Sequence, residues 1–210
     1  MKDFKKSQKN LYMPARTPAL IEVPEMVFIV IDGVGDPNTS EAYSQAVEIL
    51  YGLSYAIKMS PKSGFAPEDY YDYVVPPLEG LWWLPQGELG DLTDKSLLHW
   101  RSMLRQPEFV TETMFAQAKE VLSKKKPRLD LSPAMLIKYA EGLCAQVMHI
   151  GSYDTEAETI AMLDAYIRES GFQPDFSEQR RHHEIYLSDP RKTAVEKRKT
   201  VIRHPMRKKG

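Results

Sequence analysis

Several things are scarce in this chain of 210 residues, and each absence narrows its chemistry. There is one cysteine, Cys144, so no internal disulfide framework can form, which fits a reducing compartment. Net charge is only −1, so no global field draws nucleic acid or a membrane surface. No apolar run approaches the ~18 residues that a membrane-crossing helix needs. The opening "MKDFKKSQKN" is basic but carries no apolar stretch of the secretory kind. A soluble, cytoplasmic protein is expected.

Motifs for metals and nucleotides are equally thin. There is no HExxH and no CxxC, and His182 and His183, being neighbours on a predicted strand, point to opposite faces. "DGVGDP" (32–37) is neither GxGxxG nor a P-loop, and reads as a tight turn from strand to helix. Cys144 sits in an apolar strand without a visible base, the setting of an inert buried thiol. No metal and no cofactor is expected. The tail from Arg191 holds nine Lys/Arg against one acid, but no aromatics interleave and no helix-turn-helix pattern accompanies it. It reads as a strand around Val201 and Ile202 flanked by solvated charge, not as a nucleic-acid surface.

What is present is a duplication. "LIEVPEMVFIVIDGVGDPNT" (20–39) aligns without a gap on "LIKYAEGLCAQVMHIGSYDT" (136–155), with Leu20, Ile21, Glu25, Gly35 and Thr39 repeated at 136, 137, 141, 151 and 155. Each stretch predicts a short strand, a turn, a longer apolar strand and a helix start. Asn38 and Thr39 can cap the first helix, about 40–58, and Thr155 with Glu158 forms a capping box for the second, about 156–170. A return strand follows each helix, "LEGLWWLP" (78–85) and "HEIYLSDP" (183–190), both placing a proline six residues after a glutamate. Repeat one is placed at about 18–86 and repeat two at about 128–205. Between them lies a helical insertion, about 92–126, with segments 94–107 and 111–126. The expected fold class is α+β: one domain of two pseudo-symmetric β-hairpin–α–β repeats with a central groove.

The groove directs attention to acids and aromatics. On the strand 182–187, His182, Glu184 and Tyr186 share one face, and His183, Ile185 and Leu187 the other. Glu184 and its repeat counterpart Glu79 are expected to approach the cleft, walled by Trp82, Trp83, Tyr186, Phe109 and Met148. A carboxylate among aromatic rings suits a planar or cationic ligand, with cation–π or stacking contacts of roughly 0.5–2 kcal/mol each. It also suits general acid–base work. Exposed strand acids and core tryptophans are the plainer reading of the same residues.

The stretches "IDGVGDPN" (31–38), "LYGLSYAIK" (50–58), "PLEGLWW" (77–83), "LRQPEFVT" (104–111), "EGLCAQVMHIGSYDTE" (141–156), "HHEIYLSDPR" (182–191) and "KTVIRHP" (199–205) resemble the GyrI-like small-molecule-binding superfamily, in its stand-alone branch. The resemblance implies an SHS2-type fold of two repeated units around a ligand groove, with Glu184 at the position of the glutamate that meets cationic aromatic ligands. It further implies kinship with hydrolases that open the cyclopropane of DNA-alkylating cyclopropanoid compounds. Ser152 stands where the family often has proline. Two functions are therefore expected of the groove: a cyclopropanoid cyclopropyl hydrolase with Glu184 as its acid–base residue, or a module that binds small molecules without turnover.

Overall fold

The structure is a computed structural model and describes residues 1–85 and 95–209. Two short helical turns, α1 (Phe4–Ser7) and α2 (Lys9–Tyr12), precede a 16-residue strand, β1 (Ala19–Val34). Next come α3 (Glu41–Lys58), α4 (Ser60–Ser63), β2 (Leu78–Trp83), β3 (His99–Gln106), α5 (Glu112–Lys125), β4 (Met135–Ile150), α6 (Glu156–Glu169), β5 (Phe172–Pro174), β6 (His182–Tyr186) and β7 (Lys199–Lys208).

The ladder runs β4-β1-β3-β2-β6-β7, and β7 pairs back with β4, so six antiparallel strands close on themselves while β5 lies on the end of β7. Closure pairs every one of these strands on both sides, except that Ala19–Met26 of β1 and Met135–Leu143 of β4 pair only with each other. The strand order is unchanged when β1 is exchanged with β4, β2 with β6 and β3 with β7. A closed sheet has two faces, and strand alternation assigns every residue to one. The outer face carries the helices. Leu163 and Ile167 of α6 pack on Val147, Ile202 and Met206, and Tyr43 of α3 packs on Trp82 and Trp100. The N-terminal α2 lies against the inner face, where the Leu11 carbonyl accepts from Arg203 Nη2 at 2.9 Å and the Asn10 carbonyl accepts from Gln146.

Both long helices fall where apolar residues recur at helical spacing. In α3, Ala46, Ile49, Leu50, Leu53, Ala56 and Ile57 are buried. The caps differ from expectation. Ser40, rather than Asn38 or Thr39, caps α3, its Oγ accepting from the Tyr43 amide. Thr155 makes no capping bond to α6. Its hydroxyl donates to the Ser152 carbonyl, and Ser152 caps the short 3-10 turn at 153–155.

Two further expectations are corrected. The hairpins at the start of each unit are single continuous strands. The expected turns do not form, and pairing continues past Pro24 and Gly142: Val23 lies opposite Gly142, then Glu25 opposite Ala140. Gly142 absorbs the irregularity at φ 71°. Segment 94–107 is not a helix. It forms a 3-10 turn (95–97) and then β3, which pairs with β1 on one side and β2 on the other. Asp94, the proposed helix start, lies outside the described residues. The second inserted helix is present as α5, capped by Thr111. Among the described residues no helix is long and apolar enough to cross a membrane.

Candidate functional site

The pairing register decides which side chains meet. Glu184 of β6 lies opposite Gly80 of β2, and Trp82 opposite His182. All four therefore lie on the outer face, with Tyr186 and Leu78. Gly80 makes room: a Cβ there would sit 2.7 Å from Trp82 Nε1, so the indole lies back over the glycine backbone toward β6. Its Nε1–H donates to the Tyr186 hydroxyl at 3.0 Å, and that hydroxyl donates to Glu184 Oε2 at 2.6 Å. The other carboxylate oxygen, Oε1, faces His182 Nε2 at 2.8 Å.

Aromatic rings surround this carboxylate. Tyr43 from α3 meets Trp82 at 5.9 Å and stands edge-on to Trp100 at 5.1 Å. Tyr153, just before α6, stands edge-on to Tyr186 at 5.8 Å. The Glu184 side chain keeps 15% of its surface exposed, while His182 keeps 2%.

A second acid completes the group. Glu156, the first residue of α6, is buried beside Glu184 and Thr200, and its Oε1 has no hydrogen-bond partner. Two carboxyl groups this close cannot both be ionised. Burial raises Glu156 well above the usual carboxylate range, and the charge of Glu184 raises it further, so the protonated acid is its favoured form. Burial also acts to raise Glu184, but bonds from His182, Tyr186 and Glu156 outweigh it and hold this carboxyl below the usual range. Tyr186 is pushed well up by burial and by Glu184, so it stays a phenol and a donor. Tyr43 is likewise pushed up to about 12 by burial. An ionised carboxylate and a neutral carboxylic acid thus sit side by side within a ring of aromatic groups, which is the equipment of acid–base chemistry.

Of the residues expected at the groove, Glu184, Trp82 and Tyr186 come together. Glu79, Trp83, Phe109 and Met148 do not join them. Trp83 stacks on His99 at 5.7 Å beneath the Arg181 guanidinium. Phe109 packs on Tyr70 and Tyr71, and Met148 is buried opposite Val201. Glu79 lies opposite Ile185, on the inner face, 1% exposed. There its Oε2 meets His183 Nε2 at 2.9 Å, and His183 Nδ1 meets Glu141 Oε2 at 2.9 Å. Arg203 Nη1 donates to the same Glu141 oxygen at 3.1 Å. Burial acts to lower His183, but Glu141 and Glu79 raise it to about 9; burial acts to raise Glu141, but His183 and Arg203 lower it to about 2. Two anions and two cations therefore neutralise each other on the inner face, and this network braces the fold.

Glu156, Tyr43 and Tyr153 were missed as site residues. Glu156 and Tyr43 read as helix residues, and Trp100, which lies over Gly33 behind Tyr43, lay in a segment read as helical. Cys144 is buried with its thiol pushed up by burial, as an inert core residue.

A profile of the GyrI-like small molecule binding domain matches residues 107–207, the stretch that holds Glu156, His182, Glu184 and Tyr186. Among solved structures, an uncharacterized conserved protein from Listeria innocua is 46% identical over 99% of this chain and 100% of its own, with a TM-score of 0.93. A structure described as a hydrolase from Listeria innocua is 44% identical over 99% and 100%, with a TM-score of 0.89. The EcmrR C-terminal domain, 12% identical over 92% of this chain and 98% of its own, shares the fold at a TM-score of 0.54. No curated protein matches. The closed sheet with its outer-face carboxylate, the family profile and the full-length likeness at 44–46% identity lead to one assignment: this chain belongs to the GyrI-like small-molecule-binding family.

Proposed function

We propose that the aromatic group around Glu184 binds planar aromatic or cationic small molecules and hydrolyses the cyclopropane of DNA-alkylating cyclopropanoid compounds, a detoxification. The observation that carries the proposal is the Glu184 carboxylate, hydrogen-bonded by Tyr186 and His182 with Glu156 buried beside it, among the rings of Trp82, Tyr43, Tyr153 and Tyr186. The hydrolase description of a 44% identical structure from Listeria innocua adds support. The site is proposed to lie between two copies of one β–α–β unit, a reading that the exchange-invariant strand order favours.

In the proposed reaction the substrate stacks against Trp82 and its neighbours. The oxygen of a water molecule forms a bond to a ring carbon, and one carbon–carbon bond of the cyclopropane breaks. Its electron pair moves to the electron-withdrawing group conjugated with the ring. Glu184 takes the proton from the water, and Glu156 supplies one to the new electron pair. Ring strain provides much of the driving force. The site contributes orientation and one acid–base pair, the latter worth roughly 10²–10⁴ in rate.

The test is incubation with a cyclopropanoid alkylator, following ring-opened product by mass spectrometry. Wild-type protein is expected to turn over repeatedly and Glu184→Gln to lose at least about 10² in kcat. A folded Glu184→Gln that matches wild type sinks the proposal. A binding module without turnover is the second reading. The three hydrogen bonds that hold Glu184 ionised favour it, because a fixed negative charge suits a cationic ligand. Stoichiometric binding with no product would establish that reading.

A further inference from the structure

Behind Glu184 runs a line of hydrogen bonds that its role as acid–base residue does not by itself require. His182 Nε2 faces Glu184 Oε1 at 2.8 Å. His182 Nδ1 faces His204 Nε2 at 2.7 Å, and His204 Nδ1 faces Asp164 Oδ1 at 2.7 Å. The four residues come from three elements: β6, β7 and α6. The two imidazoles are 2% and 3% exposed, whereas Asp164 keeps 22% of its side chain in solvent. The edge-on ring of Phe176, 5.0 Å from His204, packs against the middle of the line. The line leads from the inner side of the Glu184 carboxylate, through two buried rings, to a second contact with water at Asp164.

Counting hydrogens shows what it can do. Three gaps need three hydrogens. Two neutral imidazoles carry two, and two ionised carboxylates carry none. One excess proton must therefore be shared along the line. Moving one hydrogen across one gap moves that proton one station, so the same three hydrogens can place it on Asp164, His204, His182 or Glu184. Burial, with the charge of His182, outweighs the pull of Asp164 and holds the His204 imidazole below its usual range, so this station passes the proton on rather than keeping it. The other titratable groups facing the line are Glu156 and Tyr186 beside Glu184, and Glu141, whose charge acts on His204 from the inner face.

We propose that Asp164, His204 and His182 form a proton relay that couples Glu184 to solvent through α6. The proposal rests on the acid–base role of Glu184 given above. A proton that Glu184 takes from the attacking water is balanced by one leaving Asp164 to bulk water. A proton that the site gives to the breaking bond is replaced by the reverse movement. The three residues touch no substrate and act through Glu184, so they are positioning residues.

The experiment uses the full chain with ¹⁵N-histidine and ¹³C-carboxyl glutamate, as wild type, Asp164→Asn and His204→Gln. NMR titration of His182, His204 and Glu184 is expected to show shared steps in the wild type, as coupled sites do. Asp164→Asn, at the exposed end, is expected to leave thermal stability within about 1 kcal/mol. It should move the Glu184 midpoint and shift one limb of the pH–rate profile by the same amount. In turnover of a cyclopropanoid alkylator, kcat is expected to fall about tenfold or more with KM nearly unchanged. A Glu184 titration that is identical in wild type and in both folded variants overturns the relay. If the wild type turns nothing over, the hydrolase reading fails, and the NMR titration alone decides the relay.

Discussion

Replacing His183 by leucine tests the electrostatic account of the inner face. The imidazole is 1% exposed and lies 2.9 Å from a carboxylate oxygen on each side, Glu79 and Glu141. Leucine fills comparable space but leaves two buried carboxylates with Arg203 as their remaining cation. Removing one partner of a buried ion pair typically costs about 3–5 kcal/mol. The raised His183 gives an independent figure: a shift from 6.5 to about 9 corresponds to roughly 3 kcal/mol of stability.

The two figures differ in pH dependence, and that makes the test sharp. A group raised on folding stabilises fully below its unfolded value, and the contribution fades as pH rises through the folded value. Wild-type stability should therefore fall between about pH 6.5 and 9 relative to His183→Leu, which lacks the group. The acid side belongs to Glu141. Its carboxyl is lowered to about 2, so its contribution is complete above about 4.5 and is lost as pH falls toward 2. Urea denaturation of both proteins at one-unit pH steps from 5 to 10 provides the measurement. The variant is expected to be about 3–5 kcal/mol less stable near pH 6, with the gap closing by roughly 3 kcal/mol near pH 10. Parallel stability curves across pH 6.5–9 would refute a protonated His183 in the folded state.

Two other substitutions or probes follow from the same geometry. Gly80→Ala puts a Cβ 2.7 Å from Trp82 Nε1, which must break its bond to Tyr186. It is expected to cost about 1–3 kcal/mol in stability and to weaken binding of a planar cationic dye about tenfold, read by tryptophan fluorescence. Superimposable binding curves would remove the indole from the site. Cys144, buried with its thiol pushed up, should resist thiol reagents in the native protein and react fully in denaturant. Rapid labelling of the native protein by one equivalent would contradict its burial.

Much of the architecture was legible because it follows local periodicity. The apolar spacing of 40–58, 111–126 and 156–170 gave three helices within a residue or two of α3, α5 and α6. The strands at 78–85 and 182–187 were read from β-branched and aromatic runs closed by proline. Failures occurred where tertiary pairing outweighed local cues. "LLHWRSMLRQ" has enough apolar residues for either a helix or a strand, and the open position between β1 and β2 settled it as β3. Pro24 and Gly142 are turn formers, but a ladder paired on both sides carries the chain straight past them. His204 and Asp164 carried no sequence signal, since nothing in a lone histidine on a basic terminal strand announces a partner on a helix 40 residues earlier.

The error over Glu79 has a simple physical origin. Aligning Glu79–Pro85 with Glu184–Pro190 matches two glutamates, but cross-strand partners share a face, and the partner of Glu184 is Gly80. The alignment was one residue out of step with the sheet, and a one-residue slip turns every side chain to the other face. In a closed sheet the two faces are different environments. On the inner face Glu79 meets His183 and becomes part of a neutral, buried brace. On the outer face Glu184 meets Tyr186, His182 and Glu156, and keeps an exposed edge. The glycine at position 80 is what the site needs from β2: an absent side chain, over which Trp82 can lie against Glu184. Pairing two equivalent acids across the cleft was therefore the wrong pattern to seek. A carboxylate opposite a glycine, with a tryptophan two residues further along the same strand, is the arrangement that builds this site.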